Sequence, residues 1–428
     1  MNEGSKIYNL CKKLWPITRS IAGPGNLKTL KILKQINCNL KVKSYKSGKK
    51  FFDWKVPNEW IVKNAFIKDE KNRKILDYKT NNLHIINYSA PIKKKILLKD
   101  LKKKIYFLKK LPKAIPYVTS YYKKDWGFCM SFNQFKELID KKYKVQIESY
   151  FKRGKMHFGE IFIRGKSKKE ILISTYICHP SMANNELSGP CLSIFLSKWI
   201  QKKKRRYSYR FLFLSETIGA ISYIHHNKIK LKKNVISGLV VTCVGDNNSY
   251  SFLASRKGNG ILDKIILEEL KKNKIKYKKY DWSQRGSDER QYCWPNLDLS
   301  VSSLMRSKYH TFKEYHTSLD NLKMVSPLGF NKSLKIYKKI ILNLETQYFP
   351  ISTTLSEPMM SKYGLYPELG NFYKQKKNKI KSKIYLNILS FSDGQNSISE
   401  IAKINNISGK VCLSLFKFLQ KKKLVNLL

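Results

Sequence analysis

Acidic residues are scarce: the 428-residue chain has 30 Asp and Glu against 85 Lys and Arg, a formal net charge of +55. Arginine is scarce as well, supplying only 11 of those 85 basic residues. A lysine-flooded chain rich in Asn and Ile is the mark of an AT-rich coding bias. Charge so dispersed gives solubility and undirected attraction to polyanions, not a nucleic-acid site. No apolar run approaches the ~18 residues of a membrane helix. The opening MNEGSKIYNLCKKLWP lacks the apolar core of a secretory leader. No CxxC pair occurs among the 8 Cys, so the expectation is reduced thiols, a cytoplasmic chain and no disulfide scaffold.

What is present is globular. With 42% apolar and 13% aromatic residues the chain can bury real cores, which excludes a disordered basic tail. At about 150 residues per domain the length suggests two or three domains. The few arginines carry information, because a position that keeps Arg against a lysine bias is a candidate for needing its planar, bidentate fork. Arg19, Arg256, Arg285, Arg290 and Arg306 all fall in segments discussed below; chance retention is the competing explanation.

Apolar periodicity predicts a helical start over 1–37, broken at the Gly/Pro cluster 23–25. From 38 to 165 the pattern changes to short Tyr/Trp-rich strands, among them VPNEWIVKNAFI, NLHIINYSAPI, IPYVTSYY and YKVQIESYF, with a basic helix over about 98–110. This block reads as an inserted β-rich domain. From 166 to 370 buried-strand runs (ILISTYI, FLFLS, SGLVVTCVG, LSVSSLM) alternate with helices over about 188–201, 217–226, 260–273 and 327–345. That alternation predicts an α/β domain with a mostly parallel sheet. Residues 371–428 follow the order helix (about 380–391), short helix, turn, helix, short strand of a winged helix-turn-helix.

The polar motifs sit where an α/β sheet binds ligands, beyond the carboxyl ends of its strands: CHP after the first, SET after the second, GDNN after the third. A neutral imidazole at His179 can bind a metal or act as acid or base. Alone, a His beside Pro in a loop reads as structural; a second His in KEYHTSLD, His316, with carboxylates between them, suits Zn²⁺. Glu216 leaves an apolar strand, where desolvation raises a carboxyl toward the range of a general base; favouring a helix dipole is the alternative. The loop QRGSDERQYCWP brings Arg285, Asp288, Glu289 and Arg290 together as either a solvated loop or a pocket wall.

In order along nearly the whole chain, LWPITRSIAGPGNLKTL, CHPSMANNELSGP, ETIGAISYI, TCVGDNNSYSFLASRKG, GSDERQYCWP, SLMRSKY and YHTSLDNL resemble the co-catalytic zinc aminopeptidases. More closely they resemble bacterial aminopeptidase-like proteins with an inserted domain and a C-terminal winged helix, often linked to surface-polysaccharide gene clusters. The resemblance implies a zinc-exopeptidase-like sheet flanked by helices. It places His179 and His316 at metal-ligand positions and Glu216 at the general base. It also places Asn185, Thr217 and Thr242 where the family has carboxylate ligands. A neutral amide binds zinc weakly, so one zinc ion is expected rather than two, on His179 and His316 with Asn185, Glu186 or Asp246 as further candidates. Arg285, Asp288, Glu289 and Arg306 are the candidate substrate-binding residues.

Three functions compete. The first is a metal-dependent hydrolase of an amide or aminoacyl bond, in a peptide or an aminoacyl or N-acyl sugar. The second is a binding or scaffold protein on a degenerate peptidase fold. The third is a DNA-binding regulator, and charge argues against it: residues 371–428 carry net +10, about 0.17 per residue, barely above the chain's 0.13. The apolar helix KVCLSLFKFLQKKK suggests packing or homo-oligomer formation instead. No membrane partner is expected.

Overall fold

A computed structural model describes residues 2–139, 141–365 and 383–427. Most of GLYPELG, the expected boundary at 370/371 and the first residues of the helix expected over 380–391 lie outside them. The chain forms two compact units, Met1–Gly258 with Leu262–Ile340, and Asn259–Ile261 with Ile341–Leu428.

In the first unit, helix α1 (Glu3–Leu14) starts at an Asn2 cap that accepts from the Ser5 N–H, and α2 (Pro24–Ile36) starts on Pro24. Proline suits a first helical turn because that turn leaves its N–H groups unpaired. Strand β1 (Lys41–Lys46) follows, then the small hairpin β2 (Lys50–Phe51) and β3 (Trp54–Lys55). Strands β4 (Glu59–Lys68), β5 (Lys74–Asp77), β6 (Ile92–Leu97) and β9 (Lys142–Lys152) make an antiparallel sheet in the order β5-β4-β9-β6. Tyr143, Val145 and Ile147 alternate into its core, as a half-buried strand requires.

Three sequence expectations here give way. The basic helix stops early: α3 (Leu98–Leu101) runs into a 3-10 turn at Lys102–Lys104. Then β7 (Ile105–Tyr106) pairs in parallel with β8 (Phe128–Cys129), because burying Ile105 there outcompetes a lysine-rich helix. NLHIINYSAPI is not a regular strand; after a 3-10 turn it threads the core, tied by side chains. Asn87 Nδ2 donates to the Arg19 carbonyl, and Trp60 Nε1 and Ser149 Oγ donate to the Ser89 carbonyl. IPYVTSYY is not a regular strand; its β-pairing is limited to isolated bridges, Thr119 with Asn87 and Pro116 with Thr317. A short helix α4 (Phe132–Lys136) precedes β9.

The main sheet adds β10 (Lys155–Ile163), β11 (Glu170–Tyr176), β12 (Ser208–Leu214), β13 (Val235–Val240), β14 (Tyr250–Leu253), β15 (Tyr277–Tyr280) and β16 (Val301–Met305). Its order is β1-β10-β12-β11-β13-β16-β14-β15. The centre, β12-β11-β13-β16, is parallel; β10 joins β12 and β14 joins β16 antiparallel. Strands β11 and β12 are buried along their full length, the condition that selects continuous apolar runs. Helix α5 (Ser188–Gln201) links β11 to β12, and α6 (Ile218–Asn234) carries the chain back past β11 to β13. The strand order therefore reverses at β11, and a crevice opens at its carboxyl end. Helices α7 (Ile261–Lys272), α8 (Glu289–Tyr292) and α9 (Pro327–Thr346) complete the regular elements.

The second unit contains α10 (helical residues 383–390), α11 (Ile398–Ile404), α12 (Gly409–Lys421) and an antiparallel pair, β17 (Pro350–Ser352) with β18 (Val425–Leu427). A capping box between Ser397 and Glu400 starts α11, and Ser408 caps α12. Part of the apolar set of α12 serves this unit's own core, Cys412, Phe416 and Leu419 packing with Ile388, Ile398 and Ile401, while Val411 and Phe418 are exposed. No helix among the described residues is long and apolar enough to cross a membrane.

Candidate active site

Four loops leave the carboxyl ends of the parallel strands and meet at the reversal point. The loop after β11 carries Cys178 and His179, then winds through a π-helical turn, Ala183–Leu187, into α5. Ser188 and Gly189 lock that entry. Ser188 Oγ donates to the Asn184 carbonyl and accepts from the Val244 N–H. A Cβ on Gly189 would sit 2.2 Å from the Val241 carbonyl oxygen, so only glycine lets α5 approach β13 this closely. Backbone strain gathers in these loops: Ser181, Thr217, Cys243 and His316 all have positive φ. At Thr217 (φ 65°, ψ −79°) a β-branched residue bears a cost of about 1–3 kcal/mol, which persists only where the surroundings over-determine the geometry.

The two imidazoles converge. The rings of His179 and His316 lie 5.3 Å apart between centroids, and Tyr117 packs against both. Behind His179, Nδ1 is 2.8 Å from Glu186 Oε2, which leaves Nε2 facing forward, 3.7 Å from Glu216 Oε2. A carboxylate on one ring nitrogen orients the other toward a ligand. Arg19 braces this pair from behind, with Nε donating to the His179 carbonyl at 2.9 Å and lying 3.7 Å from Glu186 Oε1. Burial opposes charge on His179, but the hydrogen bond and charge of Glu186, with Glu216 beyond, raise its pKa overall. His316 behaves oppositely: burial, and then the neighbouring His179 and His310, push it down to about 2. Its imidazole is neutral, stacked on Tyr315, and no described residue hydrogen-bonds its ring nitrogens. Burial also raises Glu216, only partly countered by His179 and by Ser287, whose hydroxyl donates to Oε1 at 2.8 Å.

Among the described residues, the one trio with metal-ligand spacing is Cys178, His179 and Glu186, whose ligand atoms lie within 4.8 Å of one another. Burial holds Cys178 as a thiol, and Nδ1 of His179 is taken by Glu186. The pair of imidazoles is the better donor set.

The three positions where the resemblance calls for carboxylates are hydrogen-bonded among themselves or to Arg290. Tyr176 hydroxyl bridges Asn185 Oδ1 and Thr242 Oγ1 (3.2 and 2.7 Å), and Thr242 Oγ1 donates to the Asn185 carbonyl at 2.6 Å. Thr217 Oγ1 accepts from Arg290 Nη2 at 2.7 Å, while its N–H donates to Asp288 Oδ1 at 2.7 Å. Burial and the charge of Glu216 raise Asp288 well above the usual carboxylate range.

The remaining candidates divide. Glu186 lies at Nδ1 of His179, behind the ring. Asp246 is consumed by the loop after β13, accepting from Asn184 Nδ2, the N–H groups of Asn248 and Ser307, and Ser307 Oγ. Glu289 clamps its own loop through the N–H groups of Gly286 and Ser287 and the hydroxyl of Tyr309. Arg285 is exposed and stacks on Trp282. Arg306 donates to the Asp246 carbonyl and lines a different cavity with Tyr250 and lysines of α9. The structure thus brings neither Arg285 nor Arg306 to the imidazoles. The cleft that does hold them, about 440 Å³, has walls absent from the sequence candidates, Tyr117, Tyr121, Tyr122 and Trp54, and is lined also by Arg290 of the QRGSDERQYCWP loop. The only sequence signal for those tyrosines was their crowding in IPYVTSYY.

Comparison with known proteins agrees with this fold. A protein of Clostridium acetobutylicum named for polysaccharide biosynthesis and an aminopeptidase-like domain is 42% identical over 401 residues, 93% of this chain and 91% of its own. A crystal structure carrying a peptidase name from the same organism superposes with a TM-score of 0.81 at 39% identity, covering 99% of this chain and 96% of that one. A zinc aminopeptidase of Bacillus subtilis shares the fold at 11% identity, with a TM-score of 0.59 over 79% of this chain and 94% of its own. A winged helix-turn-helix model matches residues 349–427, and the model described as a domain of unknown function, DUF4910, matches residues 8–347. The chain belongs to the DUF4910 family, an aminopeptidase-like α/β domain here joined to a winged helix-turn-helix.

Proposed function

We propose that this chain hydrolyses an amide or aminoacyl bond, with His179 and His316 holding one divalent ion, zinc by preference, and Glu216 as general base. The observation that carries this reading is the meeting of a buried and a half-buried imidazole, 5.3 Å apart between centroids, beside a carboxylate 3.7 Å from Nε2 of His179. The donor set fits a single ion: the Glu186 bond leaves Nε2 of His179 available, and His316 is neutral with unengaged nitrogens. It does not fit two, because Asn185, Thr217 and Thr242 offer no carboxylate and already satisfy other partners. A divalent ion there would supply Lewis-acid polarisation of the scissile carbonyl.

The rest falls to the chain's own side chains. Glu216, raised by burial, takes a proton from the water attacking the carbonyl carbon and returns it to the leaving nitrogen. Ser287 fixes the carboxylate so that Oε2 faces the reacting centre. The aromatic walls suit a peptide or an aminoacyl or N-acyl sugar, and the name of the Clostridium relative favours a place in polysaccharide biosynthesis. Glu216→Gln should cut turnover of aminoacyl anilides or N-acyl amino sugars by about 10²–10⁴-fold while metal content is kept. Unchanged turnover would end the assignment of Glu216.

One observation favours a second reading, a binding protein on an inherited scaffold: the Tyr176 hydroxyl already bridges Asn185 and Thr242. In that case a His179→Ala, His316→Ala double variant that still folds would keep its function in cells.

A further inference from the structure

Arg290 is the one arginine or lysine among the described residues lining the cleft, and no carboxylate bonds it directly, although its charge partly offsets the burial that raises Glu216 and Asp288. Several guanidinium groups of this unit lie against carboxylates, Arg210 with Glu160 and Glu170, Arg256 with Asp298 and Arg19 with Glu186, whereas Arg306 donates to the Asp246 carbonyl in a different cavity. Arg290 has no ion pair among the described residues. Its Nη2 donates to a neutral hydroxyl, Thr217 Oγ1, and its buried Nε has no hydrogen-bond partner. The carboxylates close by hydrogen-bond to other groups, Glu216 to Ser287, Asp288 to the Thr217 N–H and Glu289 to its own loop, and none hydrogen-bonds Arg290, though Asp288 Oδ2 and Glu289 Oε2 are left without partners.

Position matters as much as charge. Arg290 lines the same 440 Å³ cleft as His179, Glu216 and His316, together with the aromatic side chains Trp54, Tyr117, Tyr121 and Tyr122. Thr217, its one anchor, is held at a strained φ of 65° that aims the hydroxyl at the guanidinium. In a chain whose basic residues are overwhelmingly lysine, an arginine in this place supplies the rigid fork that matches two oxygens of a carboxylate.

Resting on the hydrolase reading for the location of the reacting bond, we propose that Arg290 is the specificity-determining residue of the cleft and receives a carboxylate carried by the substrate. Two sources share that chemistry, an acidic N-acyl sugar and the carboxyl end of a short peptide. The aromatic wall accommodates either, since a sugar ring or a peptide plane can lie on Tyr122 and Trp54.

The test is direct binding to the full chain by calorimetry, run in the Glu216→Gln background so that no probe is consumed. Four probes suffice: N-acetylneuraminic acid against N-acetylglucosamine, and Ala-Ala against its C-terminal amide. The inference expects one acidic probe to bind about tenfold or more tightly than its neutral partner, and the acidic probe that does so identifies the source. Arg290→Gln should erase the preference and leave the neutral probe unchanged, and Arg290→Lys should restore part of it. Equal affinity within both pairs, no saturable binding of either acid, or a preference that survives in Arg290→Gln overturns the inference. Turnover assays of the parent chain separate the two readings: acid preference without turnover leaves Arg290 standing and removes the hydrolase, and turnover without acid preference does the reverse.

Discussion

Two buried ionic clusters lie on one sheet, and they are built to different standards. Where β10 and β12 pair, Arg210 donates to both oxygens of Glu170 (Nε at 2.7 Å, Nη2 at 3.0 Å), and its Nη1 reaches Glu160 and the Tyr223 hydroxyl. Tyr223 and Lys43 complete Glu160. At the carboxyl ends of β11 and β12 the accounts stay open: Arg19 Nη2, Glu186 Oε1, Asp288 Oδ2, Glu289 Oε2 and Arg290 Nε are buried without hydrogen-bond partners. A saturated network fixes the fold. An incomplete one costs stability and persists where a ligand completes it. The same contrast separates Arg210, which is silent toward solutes, from Arg290, which faces a cleft.

Stability measurements sharpen that contrast. The largest effect belongs to the saturated cluster: Arg210→Ala leaves buried Glu170 without its cation and Glu160 with Lys43 and Tyr223 alone, and should cost about 3–5 kcal/mol in urea unfolding. A loss below about 1 kcal/mol would show that solvent reaches this cluster. Next comes a pH effect from the open cluster in metal-stripped protein. His316 is depressed from 6.5 to about 2, so as pH falls the unfolded chain binds the proton first. The stability this group contributes is intact above 6.5 and drains between 6.5 and about 2. Its slope approaches about 1.4 kcal/mol per pH unit. Replacing His316 with Phe should flatten that part of the profile, and an unchanged profile would show the ring to be solvated. The smallest effect is expected at Asp288. Burial favours its neutral form, and one oxygen has no partner, so Asp288→Asn should shift stability by less than about 1 kcal/mol. A larger loss would mean the carboxyl is charged and paired to Arg290.

Much of the fold is legible because burial writes itself into strand and helix periods. ILISTYI and FLFLS read as buried strands, and they are β11 and β12. The helices after each fall within a few residues of their apolar repeats, α6 running on through the polar tail KIKLKKN. Irregular segments are not legible, since Ile85–Ala90 is held by side-chain bonds from Asn87, Trp60 and Ser149 that no local pattern announces. The site shows the same limit. His179, Glu216 and His316 could be picked out by strand-end position and resemblance, but pairing Thr217 with Arg290 or Tyr176 with Asn185 depends on contacts between loops far apart in sequence. Arg285 and Arg306 lie away from the imidazoles, on Trp282 and in the cavity beside Tyr250, a placement that retention of Arg in their segments does not announce.

The central claim is that two imidazoles on separate loops share one ion. Elemental analysis of the purified full chain after zinc loading and desalting tests it most directly, beside His179→Ala and His316→Ala variants checked for folding. The account predicts one equivalent in the parent chain and none in either variant. Two equivalents, or a parent chain that retains no more zinc than its variants, would contradict it.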